Sequence, residues 1–120
     1  MKKILIMTAC CLIVTLAGCT NLDNYGYPKS LSFGKEGGQK VVKGDDGIYH
    51  LTISNYNGDG NYSDGDSMIV TYEWLTVKCA KFDDTWTIIA EPNTTGKNRK
   101  LYVYGAVDDG DAEMTIKQSR

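Results

Sequence analysis

Few residues in this chain of 120 could carry out chemistry. Its single histidine, His50, lies in an alternating run that places the ring on the outward face of a strand. The adjacent carboxylates at 83–84 and 108–109 lie in predicted turns, where they would stay solvated. Acid–base catalysis instead needs carboxyl groups that share a desolvated site. The sequence therefore predicts a protein that is not an enzyme, with no catalytic residue.

Four tyrosines are the candidate ligand-binding residues. Tyr102 and Tyr104 alternate with apolar residues in a C-terminal run, so both rings are expected on one outward face. Tyr56 and Tyr62 lie in a polar segment near the middle of the chain. An aromatic ring can stack on the apolar face of a pyranose, while nearby Asp or Asn side chains bond its hydroxyl groups. Tyrosine is also favoured in strands for packing and cross-strand pairing, so both roles stay open.

The polar segment 57–66 alternates oxygen-bearing side chains with glycines, as loops that bind Ca²⁺ do. The match to an EF-hand loop is partial, because Tyr62 stands where that loop has Gly and Met68 where it has a bidentate Glu. Gly, Asn and Asp are also the ordinary residues of solvated loops. We therefore predict a long solvated loop, with calcium binding as the alternative, and assign no metal ligand and no cofactor.

Composition describes one small globular domain. The formal net charge is -2, and hydrophobic residues make up 42% of the chain. Disordered chains have the opposite composition, with few apolar residues and a high net charge. No stretch concentrates Lys and Arg into the basic stripe that phosphate binding requires, so nucleic acid is not an expected partner. The one long apolar run lies at the N-terminus, which excludes a multi-span transporter.

The N-terminal segment has the form of an export signal. A cationic start precedes an apolar run over 4–16, too short for a stable transmembrane helix but right for a signal peptide. The run ends in Leu16-Ala17-Gly18-Cys19, which resembles the lipobox of bacterial lipoproteins. The resemblance implies a signal peptide over 1–18, acylation (such as palmitate) of Cys19, a lipidated tether over 19–29 and a lipid anchor in the outer membrane. Surface-exposed and periplasmic faces both stay open, and an ordinary secretory signal with a chance cysteine is the alternative.

The mature chain would then keep one free thiol. Cys10 and Cys11 leave with the signal peptide and Cys19 is lipidated, so Cys79 has no partner for an internal disulfide. Cys79 shares its predicted strand face with Val77, and this alternation predicts a buried thiol.

Beyond the tether, short runs of alternating apolar and polar residues are separated by Gly, Asn and Asp. This period of two predicts strands rather than helices. The runs are 30–33, 39–43, 48–54, 68–73, 74–79, 86–91, 101–107 and 112–117. The fourth and fifth could form one bent strand. About seven strands at this length predict an all-β, two-sheet sandwich over 30–120, with a barrel as the competitor.

Several motifs have the character of scaffold. They are Leu31 and Phe33 before Gly37-Gly38, then Trp74-Leu75-Thr76-Val77, then the segment from Asn93 to Arg99, and finally Thr115-Ile116-Lys117-Gln118. Trp74 would anchor a core edge, Asn93 and Gly96 suit a tight connection, and the Arg99 guanidinium can bond loop carbonyls. Together these motifs look like the BACON domain (Bacteroidetes-associated carbohydrate-binding often N-terminal), over roughly residues 30–119.

The resemblance implies an immunoglobulin-like sandwich in a non-catalytic cell-envelope lipoprotein that binds glycan or mucin, and it assigns no binding residue. The alternative is a structural or protein-interaction accessory module that docks with an envelope protein through a sheet edge. Asp66-Ser67-Met68 is similar to the acceptor triplet of the O-glycosylation system in the same bacterial phylum. This similarity predicts Ser67 as an O-glycosylation site.

Overall fold

The computed structural model describes residues 24–120, which form nine β-strands. A single 3-10 turn at Asn24–Gly26 precedes them. The strands are β1 (Ser30–Phe33), β2 (Gly38–Lys43), β3 (His50–Ser54), β4 (Gly60–Ser63), β5 (Ser67–Tyr72), β6 (Leu75–Ala80), β7 (Thr85–Ala90), β8 (Arg99–Val107) and β9 (Gly110–Gln118).

Two sheets pack face to face as a sandwich. The first has five strands in the order β1-β9-β8-β3-β4, and the second has four in the order β2-β7-β6-β5. Strand β1 runs parallel to β9, whereas the other neighbouring strands pair antiparallel. This arrangement is that of an immunoglobulin-like sandwich. The predicted all-β, two-sheet fold is therefore confirmed, and the described strands form two open sheets rather than a barrel.

The structure has nine strands where the sequence predicted about seven. The runs 68–73 and 74–79 are two strands, β5 and β6, joined by a tight turn in which Glu73 has a left-handed φ of 55°. The other additional strand, β4, lies inside the segment that was predicted as a loop. It lacks a periodic signal because its residues are exposed or half-buried on both faces at the edge of the sheet.

The core between the sheets is built from the inward positions of the predicted runs. At its centre Tyr27 stacks on Trp86, with ring centroids 4.4 Å apart and both side chains fully buried. Gly44 lies against the Tyr27 ring and Gly105 against the Trp86 ring, so a side chain at either glycine would collide with an aromatic ring. The Tyr27 hydroxyl donates a hydrogen bond of 2.6 Å to the Asp46 carbonyl, which satisfies its polar end.

Residues 24–29, which the sequence assigned to the tether, are packed on the sandwich. Besides burying Tyr27, this segment is fixed by Asn24, whose Nδ2 donates to the Glu113 carbonyl at 2.7 Å and whose Oδ1 accepts from the Glu113 amide at 2.8 Å. The Asp45 amide donates to the Tyr25 carbonyl at 2.8 Å. The aperiodic Gly and Pro neighbours of Tyr27 are typical of a linker, and the pocket that holds the ring is built from distant parts of the chain.

Residues of the scaffold motifs pack together at the end of the sandwich where β8 begins. The Arg99 guanidinium lies 4.7 Å from the centroid of the Trp74 ring, and its Nε donates to Gln118 Oε1 at 2.8 Å. Gln118 is 1% exposed, and its Nε2 donates to the carbonyls of Glu91 at 2.8 Å and Gly34 at 3.1 Å. The side chain of Gln118 thus joins β9 to the loops that leave β1 and β7.

Asn93 organises the loop before β8 in the same way. Its Nδ2 donates to the carbonyls of Lys97 at 2.7 Å and Ser119 at 3.0 Å, while its Oδ1 accepts from the Thr95 hydroxyl at 2.6 Å. Gly96 has a φ of 78°, which favours glycine. The predicted scaffold roles of Asn93 and Gly96 are confirmed, and the loop has its polar groups engaged in holding its own shape.

Candidate functional site

The alternation of β8 places Tyr102 and Tyr104 on the outer face of the five-stranded sheet. Leu101 and Val103, which alternate with them, are buried in the core at 1% exposure or less, whereas both tyrosines are half-buried. The rings therefore lie on the sheet surface and are not part of the core. This is the position that the sequence predicted for them.

Strand pairing brings a third tyrosine to the same face. Tyr104 is the cross-strand partner of Thr52 on β3, and Thr52 is in turn the partner of Tyr62 on β4. Side chains in one such row point to the same side of a sheet. Tyr62 therefore shares the outer face with Tyr104, with Thr52 between them.

His50 completes this set of side chains. Its ring stacks on Tyr62, with centroids 5.1 Å apart and an angle of 18° between the planes. The two rings form one wall of a shallow groove of about 260 Å³, whose other lining includes Thr52, Ser54 and Gly60. The sequence predicted that His50 faces outward, but its contact with Tyr62 depends on β4, which the pattern did not reveal. We call Tyr62, His50, Thr52, Tyr104 and Tyr102 the tyrosine face.

Tyr56 lies apart from this face in the loop that joins β3 to β4. Its side chain is 87% exposed. The loop is shaped by Asn55, whose Oδ1 accepts hydrogen bonds from the amides of Asn57 at 2.9 Å and Asp59 at 3.0 Å. Tyr56 is thus presented to solvent at a hairpin tip, at the end of β3 where the groove opens.

Strand β4 divides the segment 57–66 that was predicted as one long loop, and that prediction is wrong. Asp59 precedes the strand and Asp64 follows it, so about 16 Å of extended chain separates the two carboxylates. A calcium loop instead curls tightly so that its oxygens converge. Within residues 24–120 no group of three or more His, Cys, Asp or Glu side chains is placed to hold a metal ion.

Ser67 is the first residue of β5 and is exposed on the edge strand of the four-stranded sheet. Its position leaves the hydroxyl accessible, so the O-glycosylation prediction stays a prediction. Cys79 is a free, buried cysteine, as predicted. Its Sγ lies 3.3 Å from the Ala80 carbonyl oxygen and 3.4 Å from that of Asp83, so its single S–H can donate to either one.

The signal peptide, Cys19 and the first part of the tether lie outside the described residues. From residue 24 onward, no helix is long and apolar enough to cross a membrane. Localisation and lipidation therefore stay predictions from the sequence.

The described fold is similar to those of two Bacteroides proteins. One is a Bacteroides ovatus GH5 xyloglucanase in complex with a XXXG heptasaccharide, at 20% identity and a TM-score of 0.52 over 81% of this chain. The match spans 18% of the xyloglucanase, so this chain corresponds to less than a fifth of that protein. The other is a protein from Bacteroides thetaiotaomicron solved by NMR, at 18% identity and a TM-score of 0.52, over 78% of this chain and 81% of that one.

At these identities the likeness establishes the sandwich fold and nothing further. No protein-family model matches the sequence, and no curated protein matches it.

Proposed function

We propose that this protein is a non-catalytic, lipid-anchored envelope protein with a BACON-like domain that binds glycan on the tyrosine face. The observation that carries the proposal is the juxtaposition of Tyr104, Thr52 and Tyr62 in one cross-strand row. Three strands that are separate in sequence thereby present two aromatic rings and a hydroxyl on one accessible surface. Tyr102 extends this surface along β8 toward Ser54.

A flat aromatic surface with neighbouring hydroxyl and imidazole groups suits a sugar. The apolar face of a pyranose can stack on a tyrosine ring, and the sugar hydroxyls need hydrogen-bond partners at the edge of that contact. Thr52, Ser54 and His50 line the groove beside Tyr62 and supply such groups. A xyloglucanase solved with a bound heptasaccharide shares this fold over 18% of its chain, and this motivates a glycan as the first ligand to test.

The chemistry of the described residues supports binding rather than catalysis. The pKa of the Cys79 thiol is raised to about 12 by burial, so the nucleophilic thiolate is disfavoured. The Asp84 carboxylate accepts a hydrogen bond of 2.9 Å from Lys43, which lowers the pKa of Asp84 and keeps it ionised in an ion pair.

Glycan-array binding by the tyrosine-face variants tests the proposal. We expect Tyr102→Ala and Tyr104→Ala each to weaken binding about tenfold, the loss expected for one stacked ring. The matched control is Phe82→Ala, which removes an aromatic ring that is 72% exposed in the turn between β6 and β7. A glycan signal that survives both tyrosine changes, or that Phe82→Ala reduces equally, would rule out this face as the binding site.

The alternative function, docking with an envelope protein, is favoured by one observation. Ile69 is 58% exposed on β5, the edge strand of the four-stranded sheet, where a partner strand could add beside Ile69, since Asn61 of β4 already bonds the Thr71 carbonyl. Under this alternative, the wild type captures a protein partner from envelope extracts, and Ile69→Lys abolishes this capture. The signal of the protein on the glycan array does not change. Under the glycan proposal the same variant binds glycan as the wild type does.

A further inference from the structure

Two lysines face each other at one end of the sheet that carries the tyrosine face. Lys100 on β8 is the direct cross-strand partner of Lys117 on β9, and both side chains are exposed. Like charges directly opposite each other destabilise a pair of strands. Within residues 24–120, neither ammonium group has a carboxylate partner that would offset the repulsion.

A groove of about 480 Å³ adjoins this lysine pair. Its lining includes both lysines and the polar side chains of Ser32, Asn98 and Ser119, all exposed. Ser32 is the partner of Lys117 in the parallel pairing of β1 with β9. The groove therefore offers two cations together with neutral hydrogen-bond donors, a combination that suits an anionic group.

The nearby arginine is already engaged elsewhere. Arg99 also borders the groove, but its guanidinium stacks on Trp74 and bonds Gln118 and the Pro92 carbonyl. These partners are neutral, so the charge of Arg99 still adds to the positive potential of the groove, while the exposed ammonium groups that a ligand can contact are those of Lys100 and Lys117.

Lys100 of the groove is the neighbour of the tyrosine face along β8. Along β8 the outward residues are Lys100, Tyr102 and Tyr104 in succession, and successive outward positions on a strand lie about 7 Å apart. At the far end of the face the charge is reversed, because Glu113 is the partner of Tyr104 and Asp111 is one outward position beyond it. The face is thus cationic at one end and acidic at the other.

We infer that the ligand of this face is an anionic glycan, whose carboxylate or sulfate groups are received by Lys100 and Lys117 while its rings stack on Tyr102 and Tyr104. The inference rests on the proposed glycan-binding function and specifies its ligand class. A neutral polysaccharide would leave the lysine pair without a counter-charge, whereas an acidic one relieves the repulsion between the two ammonium groups on binding.

The test compares three polymers at low and high salt by calorimetry: polygalacturonate for carboxylate, dextran sulfate for sulfate, and neutral xyloglucan. We expect at least one acidic polymer to bind more tightly than xyloglucan, with an affinity that falls as salt screens the contact. In Lys100→Gln and Lys117→Gln we expect a loss of about tenfold each, the usual scale for a hydrogen bond to a charged group. Binding of polygalacturonate would identify the anionic group as a carboxylate, and binding of dextran sulfate would identify it as a sulfate.

Lys78→Gln is the matched control, because Lys78 is an exposed lysine on β6 in the other sheet. Lys78→Gln removes the same charge at a distance from the groove. The affinity of this variant for the acidic polymer should stay within about twofold of the wild-type affinity. An equal loss in Lys78→Gln would mean that binding follows the net charge of the protein, which overturns the inference. Circular dichroism should show that Lys100→Gln and Lys117→Gln are both folded, because each substitution removes the repulsion between the two ammonium groups.

The outcomes separate this inference from the function on which it rests. Xyloglucan binding that depends on Tyr102 and Tyr104 but not on the lysines would overturn the anionic ligand and keep the glycan proposal. No binding of any polymer, acidic or neutral, would overturn both. Acidic-polymer binding that needs the lysines but survives both tyrosine changes would overturn the inference as stated, because the rings would have no part in it.

Discussion

Cys79 shows how burial alters the chemistry of one residue. Desolvation, together with the nearby carboxylates of Asp83 and Asp84, raises the pKa of its thiol from about 9 to about 12. In the unfolded chain the thiol loses its proton above about pH 9, whereas in the folded chain it keeps the proton until about pH 12. The unfolded state therefore binds fewer protons in this window, and stability falls as pH rises through it.

Denaturant unfolding from pH 8 to pH 11 measures this effect. We expect the free energy of unfolding of the wild type to fall more steeply than that of Cys79→Ala, by up to about 1.4 kcal/mol per pH unit above the unfolded-state pKa. Below that pKa the two pH profiles should run parallel. Burial also raises the pKa of the Tyr27 hydroxyl, so part of the alkaline slope will persist in the variant. Equal slopes in the two proteins would contradict the buried, protonated thiol.

At the scale of the elements, the buried side chain of Gln118 links β9 and Arg99 of β8 to the loops that follow β1 and β7. Replacing it with Leu keeps most of its volume but leaves the carbonyls of Gly34 and Glu91 and the Nε of Arg99 without this partner. We expect Gln118→Leu to lower the free energy of unfolding by about 1–3 kcal/mol, the cost of buried polar groups left unpaired. Glu113→Gln, an exposed change on the same strand, should stay within about 0.5 kcal/mol of the wild type. A Gln118→Leu protein as stable as the wild type would show that the network is not structural.

Strand β8 was predictable from the sequence and β4 was not, for a physical reason. In β8 the core selects apolar residues such as Leu101 and Val103 at every second position, so burial leaves a period in the sequence. Strand β4 has no buried residue, and it is held by backbone pairing with β3 and by Asn61, whose Nδ2 donates to the Thr71 carbonyl at 2.7 Å. These contacts depend on the assembled fold and leave no pattern in the local sequence.

The candidate site was likewise predictable only where it depends on the alternation within one strand. The outward placement of Tyr102 and Tyr104 followed from alternation in a single strand. The contribution of Tyr62 and the stacking of His50 on it depend on β4, and so does the separation of Asp59 from Asp64. The alternation of single strands thus placed Tyr102, Tyr104 and His50 outward, and the cross-strand register added Tyr62 and its contact with His50.

At the scale of the whole molecule, the path of the chain into the sandwich determines how the domain would sit on a membrane. With Cys19 as the proposed lipid anchor, five residue steps to Asn24 span at most about 18 Å. Asn24 is fixed to the backbone of Glu113, and Tyr25 lies against Gly110 at the turn between β8 and β9. An anchor at Cys19 would therefore join the domain beside Glu113, with the turn on one side of this point and Lys117 on the other.

The lysine pair lies toward the opposite end of the same two strands. Lys117 is four residues along β9 from Glu113, where Asn24 is fixed, so about 13 Å of strand separates the lysine pair from that point, and about 30 Å separates Lys100 from Asp109 along β8. Because Tyr25 lies against Gly110, we expect a lipid anchor at Cys19 to hold the end with the β8–β9 turn nearer the bilayer and to direct the lysine end outward. The groove beside Lys100 and Lys117 would then be presented away from the membrane, where a polymer can approach it.

Fluorescence quenching by a lipid-borne quencher tests this orientation in vesicles that carry the lipidated protein. We expect a fluorophore at Asp109→Cys, in the turn between β8 and β9, to be quenched more strongly than one at Thr94→Cys, in the loop before β8, because quenching falls off steeply with distance from the lipid. Both positions are exposed, so labelling should not disturb the core, and the buried Cys79 is replaced by Ala to prevent background labelling.

Cys19→Ala, which removes the proposed acylation site, should abolish quenching at both positions. Equal quenching at Asp109 and Thr94 in the lipidated protein would show that the domain lies flat, and quenching that persists in Cys19→Ala would show that Cys19 is not the anchor.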